Sequence, residues 1–122
     1  MNKTAAAAVA TVLLAGCSSN PVEQAADVCQ ETLGSAFQAD VASDGNSVTV
    51  RGAGRDASGP ARSNTLNTLG CLLAETDAPA AVVSAIERTR AIDGVQRYDW
   101  DGAEASWTYH PEAGFNLTLE VR

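Results

Sequence analysis

Residues 95–122 read VQRYDWDGAEASWTYHPEAGFNLTLEVR, and this stretch decides the fold. Apolar and polar side chains alternate through 95–100, 103–110 and 115–122, the period of a half-buried strand. Asp101-Gly102 lies between the first two runs and is a two-residue hairpin signal. Such a turn sets the register: Trp100 faces Ala103, Tyr98 faces Ala105 and Gln96 faces Trp107. Tyr98, Trp100, Ala103, Ala105, Trp107 and Tyr109 then share one face. In the last run Phe115, Leu117, Leu119 and Val121 form the apolar set. Keeping them on the same face requires a loop of odd length. A three-residue loop Glu112-Ala113-Gly114, with Gly114 left-handed, meets that need. The spacing predicts a three-stranded antiparallel meander.

Upstream, Val22, Ala25, Ala26, Cys29, Leu33 and Phe37 recur at helical spacing over 21–37, with Asn20 as cap and Pro21 in the first turn. Val48 and Val50 alternate with Thr49 and Arg51, which predicts a strand over 47–52. Residues 52–60 (GAGRDASGP) read as a loop; they match neither the Walker pattern nor G-x-G-x-x-G. Leu66, Leu69, Leu72 and Leu73 mark a helix over 64–75. Asp77 then caps a third helix with Pro79 in its first turn, Val82, Val83 and Ile86 as its buried stripe, and Arg88 and Arg90 near its end. Asp93-Gly94 closes it. The fold class is α+β: an antiparallel sheet made of the C-terminal meander, with three helices packed on its aromatic face. The strand over 47–52 is a fourth candidate whose place in the sheet the spacing leaves open.

The chain has 122 residues, with 8 Lys+Arg against 15 Asp+Glu and one His. Lys3 is its only lysine, so the rest carries seven arginines against fifteen acids, a net charge of −8. That balance excludes non-specific nucleic-acid binding, which needs a basic footprint. It also excludes an electrostatic grip on anionic lipid. One His and three Cys leave little for a His/Cys metal site, and no cofactor is expected.

The beginning of the chain reads MNKTAAAAVATVLLAGC: a positive start at Lys3, an apolar run over 5–14, then Leu14-Ala15-Gly16-Cys17. The run is too short to span a bilayer as a helix. The pattern resembles the bacterial lipoprotein lipobox. That resemblance implies cleavage before Cys17, diacylglyceryl transfer to its thiol, and attachment to the cell membrane on its extracytoplasmic face. Residues 1–16 are then a signal peptide, 17–20 a lipidated tether and 21–122 a single domain. Each buried acyl CH₂ contributes about 0.8 kcal/mol to anchoring. Cys29 and Cys71 remain as an even pair in an oxidising compartment. Two buried thiols or a redox pair are the rival readings. There is no C-x-x-C, and a structural disulfide is favoured.

Few residues carry chemistry. His110 is the only histidine and lies at a strand end, with no nucleophile elbow G-x-S-x-G to serve. Asp99, Asp101 and Glu104 are the densest acid cluster. The hairpin register sets Asp99 directly opposite Glu104, a like-charge pair that is normally unfavourable. With Trp100 at the turn, these residues are candidates for contact with a basic partner or a weakly held cation, although the spacing does not match an EF-hand loop. The aromatic stripe Tyr98, Trp100, Trp107 and Tyr109 is either a glycan or peptide platform or the core beneath the helices; so few aromatics favour core.

The α-α-β-β-β tail, with its Trp107-Thr108-Tyr109 strand, resembles the arrangement in BamE-like outer-membrane lipoproteins and β-lactamase-inhibitor-like domains. On Trp100-Asp101-Gly102 and Ala105-Ser106-Trp107-Thr108-Tyr109-His110-Pro111 the chain also resembles small lipoproteins of actinobacteria and their phages. These resemblances name no activity; an acidic domain tethered close to the membrane suits a binding or inhibitory module with an envelope protein as partner. A phage-borne version would exclude superinfecting phages. A cell-wall-directed enzyme is a second class, with Asp99 and Glu104 as its one available carboxylate pair, and a purely structural envelope protein is a third.

Overall fold

A computed structural model describes residues 20–53 and 60–122. Residues 1–16, Cys17 with most of the tether, and the middle of the glycine-rich 52–60 loop lie outside the described residues. The sheet has five strands: β1 (Asp40–Val41), β2 (Ser47–Ala53), β3 (Gln96–Trp100), β4 (Ala103–His110) and β5 (Gly114–Val121). Their order is β1-β2-β5-β4-β3 and every pair is antiparallel. Among the described residues three α-helices, α1 (Pro21–Leu33), α2 (Pro60–Glu75) and α3 (Ala80–Arg88), join the sheet in an α+β fold with the expected C-terminal meander.

The β3–β4 register is the one the Asp101-Gly102 turn dictates, from Gln96↔Trp107 to Trp100↔Ala103. Gly102 supplies the positive φ of the turn, 81°. The second hairpin departs from the expected loop. Its turn occupies residues 111–113, and Gly114, left-handed at φ 76°, is already the first strand residue, paired with His110. Tyr109 therefore pairs with Phe115, and the loop is still three residues long. Parity is preserved, so Leu117 and Leu119 remain on the face of Trp107 and Ala105.

The strand over 47–52 pairs with β5, setting Val48 against Leu119 and Val50 against Leu117. It runs one residue further, to Ala53, through an irregularity at Gly52, which has φ 75°. β1 is too short for an alternating pattern to mark it. It blunts that edge of the sheet, with Arg51 Nε 3.1 Å from Asp40 Oδ2.

Asn20 Oδ1 caps α1 by accepting the Glu23 N–H at 2.6 Å. Val22, Ala25, Ala26 and Cys29 form its buried stripe. The α-helix ends at Leu33 and a short 3₁₀ turn (Gly34–Ala36) carries the chain on towards Phe37. α2 starts at Pro60, four residues before the expected position; proline suits a first helical turn because its missing N–H has no partner there.

Asp77 does not cap α3. It ends α2 in the left-handed conformation, φ 58°, with its N–H donated to Ala74 O at 3.1 Å and the Ala78 N–H donated to Leu73 O at 2.9 Å. α3 opens after Pro79 with no side-chain cap and stops at Arg88. A separate 3₁₀ turn (Ala91–Asp93) follows, in which the Arg90 N–H donates to Asp93 Oδ2 at 2.8 Å. Leu66 and Val83, expected in the core, are partly exposed.

The core joins α1, α2 and α3 to one face of the sheet, with Leu72, Trp107, Leu117 and Leu119 essentially inaccessible. Each such side chain contributes about 1.5–3 kcal/mol on burial. The Cys29–Cys71 disulfide ties α1 to α2, with Cα atoms 5.9 Å apart.

Candidate functional site

The candidate contact residues collect at one end of the sheet. The β3–β4 turn, the 44–46 turn and the last residues of β5 meet there. The Val121 N–H donates to Asn46 O and the Arg122 N–H to Gly102 O, both at 2.9 Å. Asn20 Nδ2 donates to Gly45 O at 3.3 Å, which ties the start of α1 to the same end.

Asp99 and Glu104 are direct cross-strand partners on the open face, as the hairpin register requires. Sequence reasoning missed the third member of the row. Glu120 of β5 pairs with Glu104, so Asp99, Glu104 and Glu120 stand side by side across three strands. Only the β4–β5 register could have revealed it. Arg122 offsets part of this charge, with Nη1 3.2 Å from Asp99 Oδ2. Asp101 is exposed at the turn. Among the described residues no group of three or more His, Cys, Asp or Glu is placed to hold a metal ion.

Trp100 is not exposed at the turn. It retains 8% of its accessible surface, and its indole N–H donates to Thr76 O at 2.8 Å, just past the end of α2. It therefore offers no open contact surface beside Asp99 and Asp101. Trp107 is 1% exposed and its indole donates to Thr89 Oγ1 at 2.9 Å, at the end of α3. The stripe is core at these two positions. Tyr98 stacks on Trp107 with ring centroids 5.7 Å apart and stays 39% exposed at the outer strand.

His110 is exposed at the far end of β4. It lies six residues from Glu104, about 20 Å along an extended strand, so the two do not share a site. Two surface hollows accompany the helices. One, of about 290 Å³, is lined by Ala85, Arg88, Thr89, Asp93, Gln96 and Tyr98. The other, of about 210 Å³, is apolar and lies between α2 and α3 over Phe115. Neither contains Asp99, Glu104 or His110. Among the described residues no helix is long and apolar enough to cross a membrane. Comparison of the chain with protein-family models, with curated proteins and with solved structures finds no match.

Proposed function

We propose that the chain is an exported, lipid-anchored module of the cell envelope that acts by binding rather than by catalysis. The observation that carries this reading is Leu14-Ala15-Gly16-Cys17 at the end of the apolar run that follows Lys3. The disulfide supports it. It joins Cys29 to Cys71, suits an oxidising compartment, and leaves Cys17 as the cysteine outside the bridge.

On this reading two residues, Ser18 and Ser19, separate the lipidated Cys17 from the capping residue Asn20, a span of at most about 11 Å. The end of the sheet that holds Asp99, Asp101 and Glu104 then faces the membrane. It is open to an envelope protein with a basic surface.

Expression in a bacterium followed by membrane fractionation tests the anchor. The wild-type chain is expected in the membrane fraction, with an intact mass that reports cleavage before Cys17 plus a diacylglyceryl group. A Cys17→Ser chain is expected to carry no diacylglyceryl group and to keep residues 1–16. A wild-type chain whose intact mass carries no diacylglyceryl group would refute the lipid anchor. Crosslinking from the same membranes tests the binding role: one stoichiometric partner, lost on charge reversal at Asp99 and Asp101, is the expected result. A phenotype abolished by alanine at Asp99, Glu104 or His110 in a chain that still captures its partner would point to catalysis instead.

A further inference from the structure

We propose that β3 is a self-pairing edge, and that two copies of the chain join their sheets antiparallel through Gln96–Trp100 about a two-fold axis at Tyr98. The two edges of the sheet differ. β1 closes one with two residues and an ion pair, whereas β3 has no second partner strand among the described residues and carries no proline or lysine to blunt its five residues.

The two-residue turn fixes which backbone groups point outward. Trp100 and Ala103 flank it and exchange hydrogen bonds, so Tyr98 and Gln96 also bond to β4. The N–H and C=O groups of Arg97 and Asp99 consequently face away from the sheet. On the core side of this strand the helices leave the 290 Å³ hollow beside Gln96 and Tyr98, so the edge is clear there. Just before the strand, Ile92 and Val95 are 83% and 63% exposed.

Charge selects the occupant and the register. A two-fold axis at Tyr98 sets Arg97 of each copy opposite Asp99 of the other, and the outward backbone groups of those two residues exchange the ladder hydrogen bonds. Centring the axis on Arg97 or on Asp99 would instead oppose two like charges. Within one copy Arg97 faces Ser106 and then Thr118, and the one acid of its row, Asp40, lies at the far edge of the sheet in an ion pair with Arg51, while Asp99 heads the row of Glu104 and Glu120. The two-fold brings the cation of one copy into line with the three carboxylates of the other. Closed isologous pairing of this kind is the commonest route to a homodimer. The contact is short, so the dimer forms in a concentration-dependent manner rather than obligately.

Sedimentation velocity over a concentration series, on the full chain carrying Cys17→Ser, tests the proposal. The expected result is a mass that rises to twice that of the monomer in the sub-millimolar range. Arg97→Asp alone and Asp99→Arg alone are expected to sediment as monomers. The double swap R97D/D99R is expected to restore the dimer, a rescue that a folding defect would not give. A Tyr98→Cys chain is expected to form an interchain disulfide on mild oxidation, whereas an Asp40→Cys chain at the opposite edge is not. A chain that remains monomeric at every concentration, with no Tyr98→Cys crosslink, would overturn the proposal and leave the edge to a strand of another protein. Because lipid is absent here, the result is independent of the fate of Cys17.

Discussion

Trp107 and Thr89 are joined by a hydrogen bond, indole Nε1 to Oγ1 at 2.9 Å, and both are buried. The same hydroxyl donates to Ala85 O at 2.6 Å, which satisfies a carbonyl at the end of α3. One threonine thus locks a helix terminus to the centre of the sheet. Thr76 plays the parallel part under Trp100: its carbonyl accepts the indole and its hydroxyl donates to Leu72 O at 2.8 Å.

Thr89→Val keeps the shape but removes the acceptor, leaving the indole N–H buried and unpaired. We expect a loss of about 1–3 kcal/mol. Thr89→Ser is expected to recover most of it. Urea unfolding followed by tryptophan fluorescence measures both variants.

The Cys29–Cys71 bridge closes a loop with a sequence separation of 42. In the chain-entropy account it contributes about 4 kcal/mol. Thermal melts with and without reductant are expected to show a large drop in Tm, and a C29S/C71S chain should melt like the reduced protein under both conditions.

Asp77 provides a test of sign. As the left-handed residue that ends α2, it carries a backbone cost of about 1–2 kcal/mol that glycine does not. Asp77→Gly is therefore expected to raise stability. Were Asp77 the cap of α3, the same change would lower it. Urea midpoints compared with wild type decide between them.

Glu104 stands between Asp99 and Glu120 in adjacent strands. Replacing it with threonine removes like charges from both cross-strand pairs. A gain of about 0.2–1 kcal/mol is expected. The gain should shrink as salt is added, because the relieved repulsion is exposed and screened.

The meander was legible because two local signals agreed. Asp101-Gly102 fixed one register, and the parity of Phe115, Leu117 and Leu119 fixed the facing of the next. The exact β4–β5 pairing was not, because Gly114 fits either the loop or the strand, and only the ladder to His110 assigns it. β1 has two residues and no period. Asp77-Ala78-Pro79 reads equally well as the stop of one helix or the start of the next, and the backbone bond from Ala78 to Leu73 decides. The tryptophan partners Thr76 and Thr89 lie 24 and 18 residues away in the chain, and nothing local marks them. The Asp99–Glu104 pair was readable from one hairpin, while Glu120 needed a second.

Asn20 is tied to Gly45, Val121 to Asn46 and Arg122 to Gly102, so both ends of the described domain leave from one corner. A domain built this way behaves as a cassette. Its two ends can be joined by a short linker and reopened at another loop, or spliced together into a surface loop of an unrelated protein, without threading the sheet. A fluorescent fusion at Arg122 would sit beside the start of α1 and crowd that corner. A reporter placed in the 111–113 turn, at the opposite end of the strands, would leave it clear.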